Sequence, residues 1–163
     1  MKKITFILFA LIAGTAFAQT SDSADALVDA KIVSPISISP GAKTLDFGNL
    51  IPIVGSTAEV VVNNDGTRPA VADVTIPGIP SQAADFILNS EIGYSYSLTI
   101  DPISLTAQGG SGGDPMNVSF TNDDDGANGT GTKTINVGGK LTIGDNQKAD
   151  TYQGTVTVVV AYN

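Results

Sequence analysis

The chain contains no His and no Cys. Their absence removes the Ser–His and Cys–His nucleophile pairs and the commonest transition-metal ligand. What chemistry remains belongs to carboxylates. A glycosidase needs two of them in different protonation states across the scissile bond. The sequence offers two glutamates, Glu59 and Glu91, and many of its aspartates stand beside Gly, Asn, Pro or Ser, where they serve turns. The densest acidic stretch, Asn122-Asp123-Asp124-Asp125-Gly126-Ala127-Asn128-Gly129, gathers oxygens of the kind a hard cation takes. It does not fit an EF-hand frame. With Asp123 first, the fifth position is Ala127 and the sixth is Asn128 where a Gly is needed. The stretch is expected to be a solvated hairpin loop. The sequence thus names no catalytic residue, no cofactor-binding residue and no metal ligand, and the protein is expected not to be an enzyme.

The N-terminus carries an address instead of chemistry. Lys2 and Lys3 precede an apolar stretch over residues 4–13, and Ala16-Phe17-Ala18 satisfies the small-x-small cleavage rule. Residues 1–18 are expected to be a signal peptide, with Gln19 as the first mature residue. The apolar run is shorter than the roughly 20 residues a membrane span needs, so no transmembrane segment is expected after cleavage. Without Lys2 and Lys3, 6 basic residues of the original 8 face 16 acidic ones, a formal charge of −10. That sign opposes binding to a phosphate backbone, and nucleic acid is not an expected partner.

The elements that would position any site are strands. Tyr94, Tyr96, Leu98 and Ile100 alternate with Ser95, Ser97 and Thr99. Met116, Val118 and Phe120 alternate with Asn117, Ser119 and Thr121. Shorter candidates cover residues 36–38, 45–47, 58–62, 71–76, 86–88, 134–137 and 141–143, with Gly, Asn, Asp and Pro clusters between them. Many short two-faced strands with frequent turns predict an all-β sandwich over residues 35–163. Two segments stand apart. Residues 154–162 form the strongest strand pattern, with Val156, Val158, Val160 and Tyr162 on one face and Val159 and Ala161 on the other. It is expected to be flanked closely on both sides. The mature N-terminus, residues 19–34, precedes the first strong turn signal and places Ala24, Ala26, Val28, Ala30 and Ile32 on one parity. It is either an ordinary first strand or frayed tail, or a donor strand that completes a neighbouring subunit.

The run Ile32-Val33-Ser34-Pro35-Ile36-Ser37-Ile38 followed by Leu45-Asp46-Phe47-Gly48-Asn49-Leu50 resembles the opening of secreted bacterial proteins of domain-of-unknown-function family 4402. The closing stretch, Ile135 to Leu141 and then Tyr152-Gln153-Gly154-Thr155-Val156-Thr157-Val158-Val159-Val160-Ala161-Tyr162, resembles the family's ending. That family in turn looks like the spore-coat-protein-U and archaic chaperone–usher pilin group, from which this chain departs in lacking a Cys pair. The resemblance implies an immunoglobulin-like, pilin-like sandwich that receives a missing strand from another subunit. It implies export through the periplasm to the cell surface, with further copies, a periplasmic chaperone and an outer-membrane usher as partners. Two functions follow as expectations. One is a structural subunit of a surface filament or coat, with Ala24, Ala26, Val28, Ala30 and Ile32 as donor and Val156, Val158, Val160 and Tyr162 along the groove. The other is a monomeric adhesive or ligand-binding surface module.

Overall fold

The structure, a computed structural model, describes residues 21–124, 126 and 128–163. The expected signal peptide lies outside the described residues. The chain divides into two units, Met1–Ile32 and Val33–Asn163. Of the first, residues 21–32 are described. They form no strand or helix and are exposed throughout. The expected strand over residues 24–32 is therefore not formed here.

The second unit is a β-sandwich. Its strands are β1 (Ser37–Pro40), β2 (Ala58–Val62), β3 (Ala84–Asn89), β4 (Tyr96–Ile100), β5 (Ile103–Ala107), β6 (Met116–Asn122), β7 (Thr132–Ile143), β8 (Tyr152–Gln153) and β9 (Val158–Tyr162). A large antiparallel sheet runs β1-β3-β7-β6-β5-β8, with β2 also on β7, and a smaller one pairs β4 with β9. Strand β7 organises the large sheet. Its first half pairs with β3, its second half with β2, and its opposite edge with β6.

The sequence pattern suggests two strands within β7, separated at Gly138-Gly139. They form one strand because those glycines accommodate crossings, not a turn. A Cβ on Gly138 would lie 2.4 Å from the carbonyl oxygen of Val62, where the chain leaves β2. A Cβ on Gly139 would meet Leu45 and Phe47 side chains at 3.0 and 3.3 Å. Two other expected strands are not strands. Residues 45–47 contribute a single bridge, Asp46 with Gln82. Residues 71–76 curl into a turn, because the Val71 carbonyl accepts the N–H groups of Val74 and Thr75 and the Thr75 hydroxyl.

Inward-facing residues build two core clusters. One gathers Val60, Val62, Val74, Met116, Val118, Leu141 and Ile143. The other gathers Ala84, Leu88, Tyr96, Ile135 and Val137, with Val160 and Tyr162 packed on it from β9. Burying each large aliphatic side chain contributes roughly 1.5–3 kcal/mol, and with no cysteine the sandwich depends on this burial and on its strand ladders.

Candidate assembly groove

The C-terminal segment does not run as the single strand its alternation predicts. Residues 152–153 pair with β5, residues 158–162 pair with β4, and residues 154–157 between them belong to no strand. The cause lies partly in the register. Thr106 opposes Gln153 and Ile100 opposes Val158, so five residues, 101–105, face four, 154–157. The Asp101-Pro102 step sits in that excess, and a proline supplies no N–H to a ladder. The chain crosses from one sheet to the other at Gly154, where a Cβ would sit 2.9 Å from Leu105 Cδ2 and 3.1 Å from Ile103 Cδ1.

On the other side, residues 41–46 run beside β3 and the residues leading into it, and Leu50 bridges Thr75. Gly41 N–H donates to the Asp85 carbonyl, Lys43 N–H to Asp85 Oδ1 at 2.7 Å, and Asp46 exchanges backbone bonds with Gln82. Between the two walls opens a groove of about 1300 Å³. Its lining includes Ile103, Leu105, Met116, Val118, Leu141 and Ile143. Beyond Val158 the lining stops, and Val160 and Tyr162 pack with Ile36 and Ile38 in the second core cluster. The wall from Tyr152 to Val158 matches about 23 Å of extended strand.

This splits the candidate groove residues. Val156 and Val158 line the groove, whereas Val160 and Tyr162 lie in the closed end. Their shared parity is as expected, with Val158 buried and Val156, Val160 and Tyr162 half-buried. The expectation of close flanking on both faces is overturned: Val159 is 56% exposed and Ala161 is exposed, because β4–β9 is a two-stranded sheet with nothing described over its outer face.

A family model covers residues 36–162. The chain belongs to the domain of unknown function family DUF4402. No curated protein and no solved structure matches it. The DUF4402 match begins one residue before β1 and ends with β9, so it encloses both groove walls.

Three polar constructions hold the DUF4402 groove in shape. The first is Arg68, the only arginine in the sequence. Its guanidinium donates to the carbonyls of Phe47, Ile76 and Ile79, tying the 40–50 wall to the loop behind it. That loop lines a second hollow of about 650 Å³, whose one arginine is already committed to these carbonyls. Arg68→Met keeps much of the stem and removes the charge-assisted bonds. A loss of about 2–4 kcal/mol is expected, read as a lower denaturant midpoint, and a change under 0.5 kcal/mol would show the clamp to be dispensable.

The second construction closes the far end of the groove. Asp150 Oδ1 accepts the N–H groups of Gly109 and Thr151, each at 2.7 Å, and Oδ2 accepts that of Ser111 at 3.0 Å. Alongside it, Gln147 Nε2 donates to the Asp114 carbonyl at 2.6 Å and to the Tyr152 hydroxyl at 2.8 Å. The Ser111 side chain and amide, with the other N–H groups, hold the Asp150 carboxyl down at about 2, from an ordinary 3.8. A carboxylate with a depressed value stabilises the fold above its unfolded pKa and loses that contribution as pH falls through its folded one. The loop tie should therefore be complete above about pH 4 and released toward pH 2. A carbon-detected NMR titration of Asp150 should give a midpoint near 2, and a midpoint at 4 would contradict the geometry.

The third construction is Tyr162, whose hydroxyl accepts the Glu91 N–H at 2.6 Å and donates to the Ser34 carbonyl at 3.0 Å. It pins Ser34, near the start of the compact unit, to the end of β9.

In the acidic loop Asp123 and Asp124 are bound up internally, and Asp125 and Ala127 lie outside the described residues. Asp124 accepts the Tyr96 hydroxyl at 2.6 Å and pairs with Lys133 at 2.7 Å, and Asp123 accepts both the backbone and side-chain N–H groups of Asn136. Burial works against the Asp124 charge, but the Lys133 ammonium, the Tyr96 hydroxyl and the Gly126 amide together hold its carboxyl below the ordinary value. Among the described residues no three acidic side chains converge on a metal-sized site.

Sequence reasoning missed the 40–50 wall, Arg68 and strand β5. For β5 the signal was present: Ile103, Leu105 and Ala107 alternate with Ser104 and Thr106. The role of Arg68 had no local signal, because its three acceptors lie 8 to 21 residues away in sequence.

Proposed function

We propose that this chain is a structural subunit of a cell-surface filament or coat, in which a strand from a second copy fills the groove. The observation that carries the reading is the groove itself: an apolar cleft bordered by residues 154–157, which have left one sheet without joining the other. A strand laid there would bury its apolar face and pair its backbone, satisfying two costs of an open edge together. The extension supplies a fitting strand. Ala24, Ala26, Val28, Ala30 and Ile32 share a parity, and Val28 and Ile32 are 89% and 96% exposed. A donor on one part of the subunit and an acceptor on another make a heterologous contact, which propagates instead of closing. The resemblance to the spore-coat-protein-U and chaperone–usher pilin group supports an immunoglobulin-like subunit, exported through the periplasm, with a chaperone and usher as assembly partners.

A second reading, a monomeric adhesive or ligand-binding module, draws on the two core clusters that the compact unit already buries. In that case the groove would take a linear apolar ligand. Negative-stain microscopy of material sheared from cells, with mass spectrometry of the subunit, separates the two. Filaments composed of this chain support the first. A secreted monomer that stays monomeric at all concentrations overturns it.

A further inference from the structure

We propose that Lys43 and Lys148 select the entering strand by pairing with Asp25 and Asp29 of a second copy, an inference that rests on the groove being a strand acceptor. The argument begins with where the positive charge goes. Beyond Lys2 and Lys3, six basic residues remain. Lys133 pairs with Asp124 at 2.7 Å and Lys140 with Glu59 at 2.8 Å. Arg68 is held by backbone carbonyls, and Lys31 belongs to the extension itself. Among the described residues, Lys43 and Lys148 are left without a carboxylate partner for their ammonium groups, and both line the groove, one on each wall. Lys148 Nζ donates to the Ser111 carbonyl at 3.2 Å.

In a chain with 16 acidic residues, two lysines so placed on facing walls await an acidic occupant. The carboxylates on the same walls are already engaged by backbone N–H groups: Asp46 by Gly48, Asp85 by Lys43, and Asp150 by its three amides. The extension has the complementary pattern. Asp25 and Asp29 lie on the parity opposite Val28 and Ile32. When the apolar parity faces the groove floor, both aspartates sit at rim height. Four residues of strand separate them by about 13 Å along the groove, so each can meet a different lysine. Such rim pairs act chiefly on the rate and fidelity of encounter.

The test uses the whole mature chain in three forms: wild type, Lys43→Asp/Lys148→Asp, and Asp25→Lys/Asp29→Lys. Assembly is followed by light scattering at low ionic strength. Each double variant alone should assemble about tenfold more slowly, the scale of two exposed pairs turned from attraction to repulsion. An equimolar mixture should recover to within about twofold of the wild-type rate, because each strand then finds a complementary groove on half of the molecules. Salt at about 0.5 M should narrow the differences, since rim charges are screened. The Asp25→Lys/Asp29→Lys form changes only the extension, so its result stands even where the groove variant folds poorly. If that form assembles at the wild-type rate, the pairing is wrong and the groove reading survives. If a folded groove variant does not recover on mixing, the pairing is wrong in the same way. If wild type itself never assembles, or inserts its own extension and remains a monomer, the reading beneath the pairing fails and takes it along.

Discussion

Val28→Asp protein is expected to fold and to remain monomeric. Val28 is 89% exposed and precedes the compact unit, which starts at Val33, so no core contact of that unit is lost. Its thermal unfolding should match that of wild type measured as monomer. In an assembled strand, however, the side chain would face the apolar groove. The loss of valine burial removes roughly 1.5–3 kcal/mol, and an unpaired carboxylate there adds a penalty of several kcal/mol. A combined cost of about 4 kcal/mol or more weakens each junction on the order of a thousandfold. Val28→Leu, which keeps the apolar surface, should retain most assembly. Sedimentation of purified protein over a concentration series provides the measurement. Normal polymerisation of Val28→Asp would remove the donor role from this segment.

Gly138→Val should be strongly damaging to the compact unit. Valine is favoured in strands, so propensity alone would favour it. The structure opposes it, because the added Cβ would lie 2.4 Å from the Val62 carbonyl oxygen and 2.8 Å from the Asn63 carbonyl carbon. Both are backbone atoms at the point where β2 leaves the sheet, and they cannot move without breaking the β2–β7 ladder. Overpacking of this kind costs about 3 kcal/mol or more, and a fall in melting temperature on the order of 10 °C is expected. Gly139→Ala is the control. Its Cβ would meet the end of Leu45 at 3.0 Å, the Ser119 carbonyl oxygen at 3.2 Å and the Phe47 ring at 3.3 Å, contacts that shifts of a few tenths of an ångström relieve, so a cost of about 1 kcal/mol is expected. Equal effects at the two positions would mean that the crossing over Gly138 is not what constrains β7.

The alternation of Tyr96, Leu98 and Ile100, of Met116 and Val118, and of Val158, Val160 and Tyr162 determined which side chains turn inward, because side-chain direction in a strand has period two whatever the strand pairs with. The same local rule placed β2 over residues 58–62 and made the chain an all-β sandwich. It also marked residues 24–32 as strand-like, although no strand forms there in the structure. What pairs with what is a different kind of information. The valine run at the C-terminus looks continuous, yet it divides between β5 and β4, because the register against residues 101–105 is set by a second segment about 50 positions away. Gly138-Gly139 looks like a turn, and only the crossing of Val62 and the packing of Phe47 make it the middle of a strand. Val71 and Val74 look extended, and the Thr75 hydroxyl helps to curl them. The groove belongs wholly to this second category. Its walls come from residues 40–50 and 147–158 and its lining from β5, β6 and β7, so it exists only where distant segments fail to meet, and no local pattern records a gap.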